Sequence, residues 1–263
     1  MSFQPIIPFG GVAGWSFLQN TKAAQREAFE AAPAMERDTA YFTENIASVK
    51  TAADLVGDYR LLKVTLGAFG LDDDLPNKAF IQKVLEEGSL NSDSFANRMV
   101  DKRYLALTEA FGFDLGTPNT QLSDFASEIV DSYNTRQFEI AVGEQDTDMR
   151  LSLALERDLG EIVAADNTAD GKWYSILGNE PLLTVFQTAL NIPVEAAGLD
   201  IDDQVTLLRN RTATVFGDGE IDQFTDQARV EELNRSFLVR SQIKALSGGM
   251  SSGAIALTLL QAI

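Results

Sequence analysis

Cysteine and histidine are both absent from the 263-residue sequence. Without cysteine there are no disulfides, and without either residue there is no zinc site of the Cys/His type. Ser-His-Asp and Cys-His nucleophilic chemistry are excluded with them, as is any histidine proton shuttle. Long apolar runs are also missing. No stretch approaches the roughly 20 residues that cross a bilayer, so no membrane span is expected. Positive charge is scarce: 21 Lys and Arg stand against 39 Asp and Glu, for a formal net charge of -18. The acids are spread along the chain. Their field repels DNA, RNA and anionic membranes, so nucleic acid is not an expected partner. A cysteine-free chain suits the cytosol, and equally a protein exported unfolded. The start of the chain has Pro5 and Pro8 and no basic n-region, so no cleavable signal peptide is expected.

Apolar residues make up 45% of the chain, with 16 Phe against 5 Tyr and 2 Trp. That is enough for a sizeable core. The apolar positions recur at helical spacing nearly throughout, which predicts an all-α, multi-helix, orthogonal or bundle-like domain. Three regions are expected: an extended N-terminal arm over 1–15, a helical domain over 16–246, and a flexible linker with a short apolar tail over 247–263. Two lobes within the helical domain, parted near 166–172, are left open.

The arm carries Phe3, Ile6, Ile7 and Phe9 among its prolines and glycines. It docks either on its own domain or on a partner. Helices are then predicted from Ser16 to about Ala32, broken by Pro33, from Met35 to Ile46, and from Ser48 or Thr51 through Leu55. Asp58 reads as the N-cap of a helix over Tyr59–Phe69, with Gly70 at its C-terminal end. Asp72, Asp73 and Asp74 read as the capped start of the next helix, in preference to a cation site. A long central helix is expected from Ser92 or Ser94 to Phe111, with Phe95, Met99, Val100, Tyr104 and Leu107 on its apolar sides. Asp101, Lys102 and Arg103 would form a salt-bridged rim on it. Further helices follow from Thr120 or Ser123 to Val142, from Thr147 or Asp148 through Ile162, over Pro181–Asn191, and over Ile201–Phe216.

Two segments imitate calcium loops. In the first, Asp166, Thr168, Asp170 and Gly171 occupy the proper positions, but Leu177 stands where a bidentate Glu is needed. The second, around Gly219, fails at more positions. No metal is expected at either. No Gly-x-x-x-x-Gly-Lys-Ser/Thr loop is present, and carboxylate pairs arise by chance in so acidic a chain. The expectation is therefore no catalytic residue, no cofactor and no enzyme.

An apolar helix ending in Ala-Phe-Gly occurs twice, at Ala68-Phe69-Gly70 and Ala110-Phe111-Gly112. A degenerate third copy ends Ala189-Leu190-Asn191. Unequal separations argue against a solenoid and for irregularly repeated helical hairpins. The last helix, capped by Asp226 and running to Leu246, changes its apolar side: Val230, Leu233 and Phe237 share one face, and Val239, Ile243 and Leu246 nearly the opposite one. Either it passes through the core, the preferred reading, or its second half meets another element or chain. The tail contains Ile255, Leu257, Leu259, Leu260 and Ile263 with no charge, and so must dock in cis or on a partner. The arm residues, Val239, Ile243, Leu246 and these tail residues are the candidate partner contacts.

The stretches Tyr59-Arg60-Leu61-Leu62, Ala68-Phe69-Gly70-Leu71, Lys78 to Leu85, Ser94 to Arg98, Arg103-Tyr104-Leu105 and above all Glu109-Ala110-Phe111-Gly112-Phe113 resemble a bacterial family known as domain of unknown function 1217. The resemblance is good over about 45–165 and looser elsewhere. These residues are of core and capping type, so no functional residue carries over. Members often occur among flagellar genes. The resemblance thus implies a structural or assembly role in the flagellum, with a flagellar protein as partner and a cytoplasmic or flagellum-associated location. The competing expectation is a cytoplasmic helical binding module or chaperone for an aggregation-prone partner. Oligomeric state is left open.

Overall fold

The computed structural model describes residues 3–249, with side chains through 245. Among them are 13 α-helices and no strand, and about 75% of the chain is helical. The helices are α1 (Gly11–Glu30), α2 (Pro33–Asn45), α3 (Ala52–Gly57), α4 (Tyr59–Ala68), α5 (Lys78–Glu87), α6 (Phe95–Arg98) and α7 (Arg103–Phe111). They continue with α8 (Phe125–Gly143), α9 (Thr147–Ala164), α10 (Ala169–Gly178), α11 (Glu180–Ala189), α12 (Ile201–Phe216) and α13 (Gln227–Gly249). The chain divides into two units, one of 1–6 and 21–141, the other of 7–20 and 142–263. The division thus falls within α1 and within α8, away from 166–172.

Local chemistry sets several helix starts. Thr51 and Asp54 form a reciprocal capping box on α3. Asp58, Asp146, Thr168 and Asn179 cap α4, α9, α10 and α11 through side-chain oxygens. Pro33 sits in the first turn of α2, where its missing N–H costs nothing.

In the first unit, α4 is buried on nearly every side: Leu61, Leu62, Val64, Leu66 and Ala68 are all within the core. Gly67 admits the ring of Tyr133 from α8, and a Cβ there would lie 2.6 Å from Tyr133 Cε2. Phe29 and Phe138 meet edge to face at 5.8 Å between ring centroids, a geometry that suits aromatic quadrupoles.

In the second unit, Trp173, Phe186, Phe224 and Phe216 form a chain of edge-on rings linking α10, α11, α12 and a 3₁₀ turn at Ile221–Thr225. The two calcium-loop imitations brace one another here. Trp173 Nε1 donates to Gly219 O at 3.2 Å, and Lys172 Nζ pairs with Asp222 at 2.6 Å. Arg209 takes Asp170 at 2.6 Å and Glu220 at 3.2 Å. Residues 166–173 are therefore stitched into the second unit, which is why the division does not fall there.

Several boundaries differ from the sequence reading. Helix α1 begins at Gly11, so the arm is shorter than 1–15. Gly14 lies so close to Phe9 O that no Cβ would fit. Glycines that looked like arm residues thus let the arm fold against the first turn of α1. The central helix from Ser94 to Phe111 is two helices. Met99 is extended (ψ 142°), and Asp101 Oδ1 accepts from the Arg103 backbone N–H at 3.0 Å, holding the start of α7. Val100, expected on an apolar side, is 88% exposed. The periodicity survived the break because Phe95 and Tyr104, one from each piece, both pack edge-on against Phe80. The Asp101–Arg103 ion pair does form, at 2.7 Å.

Asp72–Asp74 form a separate 3₁₀ turn and do not start α5, which has no side-chain cap. Their carboxylates are used elsewhere: Asp74 accepts from the Tyr104 hydroxyl at 2.5 Å, and Asp72 from Gln137 Nε2 at 2.7 Å. Helix α13 continues to Gly249, through residues expected in the linker.

Candidate protein-contact surface

The arm is held by its backbone and exposes side chains. Gln25 clamps Ile6 from both directions: Ile6 N donates to Gln25 Oε1 at 2.6 Å, and Gln25 Nε2 donates to Ile6 O at 3.2 Å. Pro5 is buried, Phe3 is half-buried, and the Ile6 side chain is 58% exposed. These residues belong to the first unit.

Ile7 and Phe9 belong to the second unit, with α13. Ile7 is half-buried. Phe9 is 59% exposed, one edge of it against Phe17 at 6.4 Å. The arm then passes α13, where Gly11 lies against the Gln242 amide so closely that a Cβ would collide. Gly11 is also at φ +63°, where glycine is favoured.

Helix α13 has one side in the core. Val230, Leu233, Phe237 and Leu238 are buried, Asn234 Oδ1 accepts from Ser152 Oγ at 2.7 Å, and Ser241 Oγ donates to Asp148 at 2.5 Å. The preferred expectation, that the second half of this helix passes through the core, is not met. Val239 is 42% and Ile243 58% exposed, on the side opposite Phe237 and Ser241. The core spans only one side of the helix here, so the switch of apolar side turns these residues outward. The side chain of Leu246 and all of Ile255, Leu257, Leu259, Leu260 and Ile263 lie outside the described residues.

Sequence reasoning missed the charges of α13 past Glu232, of which Arg235 alone shares the side of Val239 and Ile243 by helical spacing. Arg235 and Lys244 are exposed and Arg240 half-buried. The signal was legible: no Asp or Glu follows Glu232 anywhere in the chain.

Several polar groups elsewhere are engaged in structural contacts. Lys63 Nζ bonds Asp38 at 2.6 Å. Burial works against the Lys63 charge, but Asp38 outweighs it and the ammonium is held above its ordinary range. Burial also pushes the Tyr133 phenol up, with Lys63 opposing. Arg26, with Glu30 at 2.6 Å and Asp131 at 2.5 Å, lines a hollow open to solvent. A second cleft, among Gln187, Ile192, Ala196, Gln204, Leu207 and Leu208, holds about 10 Å³. That is about one water's worth. No group of three or more acids that could hold a metal occurs among the described residues, and no helix there is long and apolar enough to cross a membrane.

Fold and surface together define an all-α protein of two compact units, with exposed apolar side chains on its arm and its last helix. The chain belongs to the family described as protein of unknown function (DUF1217), whose model matches residues 68–230. It is similar to the crystal structure of protein AGR_C_984 from Agrobacterium tumefaciens. The two share 25% identity and a TM-score of 0.74, over 92% of this chain and 99% of that one. No curated protein matches the sequence.

Proposed function

We propose that the protein is a non-enzymatic, flagellum-associated structural or assembly protein that acts through protein contacts. The observation that carries the contact role is the outward placement of Val239 and Ile243 on a helix whose other side is core. Exposed Phe9, in the same unit, adds to it. Apolar side chains exposed on a helix whose other side is core offer area that a partner could bury. The flagellar part rests on the frequent occurrence of family members among flagellar genes, which is an association and not a mechanism.

The test is a clean deletion in a flagellated host, scored for swimming and for filament number, with the tagged protein followed by fractionation. Reduced motility, and presence of the protein in purified filaments or basal bodies, is the expected result. Normal flagella and full motility would overturn the flagellar role. A strictly soluble pool would favour a cytoplasmic binding module or chaperone.

A further inference from the structure

We infer that the charge-free apolar tail of this chain, residues 254–263, folds back onto the outer side of the second half of α13 and covers Val239, Ile243 and Phe9. The inference rests on the protein-contact reading above and names what holds that face when no partner does.

The face lies within the second unit and is built from two elements. Helical spacing turns Val239, Gln242 and Ile243 away from the buried Phe237, and all three are exposed. Arg235, the one charge on this side past Glu232, sits a turn before Val239. The arm joins the face at Gln242. Gly11 lies against the Gln242 side-chain amide, and Phe9, two residues earlier in the chain, is exposed as well. Three large apolar side chains therefore surround an uncharged amide at the end of α13.

Tether length favours the chain's own tail as the occupant. Helix α13 ends at Gly249, about 9 Å along the axis from Ile243 and about 15 Å from Val239. Residues 250–257 reach up to about 26 Å when extended, enough to return past both. A segment on so short a tether is present at a high effective concentration. Chemistry agrees. Residues 254–263 include Ile255, Leu257, Leu259, Leu260 and Ile263 and no charge, so they need apolar cover and no ion pair. Charge disfavours the other occupants. A second copy brings the same net charge of -18, and an anionic membrane meets that field too, whereas an uncharged tail meets no repulsion. A partner that uses Val239 and Ile243 then has to displace the tail.

Disulfide trapping in the full chain tests this. Cysteine is absent from the sequence, so two introduced cysteines form one defined pair. The test pair is Ile243→Cys with Leu259→Cys, and the control is Ala245→Cys with Leu259→Cys. Ala245 is exposed and has the shorter tether, but helical spacing sets it about 160° around the helix from Ile243. Both are oxidised with glutathione disulfide, and monomeric disulfide is followed on non-reducing gels. Each single cysteine's own rate with glutathione disulfide normalises its reactivity. The Ile243 pair should close at least about tenfold faster than the control. Val239→Ser added to the test pair should slow closure towards the control rate, and so should Leu257→Ser with Leu260→Ser. Raising the salt should not slow it, because no ion pair holds the tail. Circular dichroism checks that helix content is kept.

Equal closure of the two pairs overturns the inference, as does a preference for Ile243 that survives Val239→Ser. Disulfide-linked dimers that replace the monomeric product, and rise with protein concentration, also overturn it, because the occupant would then be a second copy. Closure rates need only purified protein. A fully motile deletion strain therefore defeats the flagellar reading alone, and equal closure rates defeat this inference alone.

Discussion

Helices α4 and α11 follow one plan in different surroundings. Asp58 ends α3 and caps α4, and Asn179 ends α10 and caps α11. A Leu-Leu pair follows each cap. At the other end Gly70 (φ 69°) and Asn191 (φ 53°) turn left-handed. The same pair of closing bonds is present: Leu71 N to Leu66 O at 2.8 Å, matched by Ile192 N to Gln187 O at 2.9 Å, with Gly70 N to Gly67 O matched by Asn191 N to Thr188 O. This is the Schellman arrangement. A 3₁₀ turn comes next in both, at Asp72–Asp74 and Val194–Gly198, and then a helix, α5 or α12, that ends at a positive-φ glycine, Gly88 or Gly217. The caps, the left-handed residues and their closing bonds keep one spacing between the two copies, whereas the 3₁₀ turns and the closing glycines do not. The surroundings differ. Helix α4 is enclosed, whereas α11 buries Leu182, Val185, Phe186 and Ala189 on one side and leaves Leu183 and Thr188 half-exposed. Local devices were kept while packing diverged, because caps depend on a few backbone groups and packing depends on every neighbour.

The matched leucines carry the largest expected contrast. Leu62→Ala removes a fully buried side chain and should cost about 2–5 kcal/mol. Leu183→Ala, at the matched half-exposed position, should cost less than about 1.5 kcal/mol. Urea unfolding of the full-length variants measures both. Equal losses would mean that the two helices are enclosed alike.

The left-handed ends come next. Gly70→Ala places a Cβ at φ 69° and about 3.2 Å from an Arg136 nitrogen. It should cost about 1–2 kcal/mol. Asn191→Gly should change stability by no more than a few tenths, because asparagine already tolerates this conformation and glycine does too. Thermal unfolding of the two variants decides whether the ends are equivalent. A large loss for Asn191→Gly would show that its side chain is needed there.

The caps differ in charge, which gives the smallest and most specific contrast. Burial pushes the Asp58 carboxyl up, but the Tyr41 hydroxyl and the Leu61 and Arg60 backbone N–H groups outweigh it, leaving it below its ordinary range. Its stabilising contribution is therefore complete above the unfolded value of about 3.9 and is lost as pH falls through the depressed folded value. Asp58→Ala should cost about 1 kcal/mol near neutral pH, with the difference shrinking in acid below about pH 4. Asn179→Ala should cost a similar amount, about 1 kcal/mol. It also removes the hydrogen bond from Asn179 Nδ2 to Asp158 at 2.8 Å. An asparagine cap has no charge of its own to lose, so any pH dependence of this variant would come through Asp158. Chemical denaturation across pH 3–7 compares the two. A pH-independent Asp58→Ala difference would count against the cap's electrostatic advantage.

By itself the sequence determined the helical class, the family, and every feature that depends on a few neighbouring residues. Asp58 as a cap, Gly70 and Gly112 as stops, and α12 over Ile201–Phe216 are legible because such signals act within a turn or two of backbone. The echo among Gly70, Gly112 and Asn191 was legible for the same reason. Tertiary structure alone decided features in which distant residues meet. The break at Met99–Lys102 keeps helical periodicity because Phe80 receives rings from both sides of it. Residues 166–173 read as a boundary until Lys172 and Trp173 find Asp222 and Gly219. The sequence marked Val239 and Ile243 as switching sides. Only the packing of α13 showed which side is core, and so turned an ambiguous apolar stripe into an exposed face.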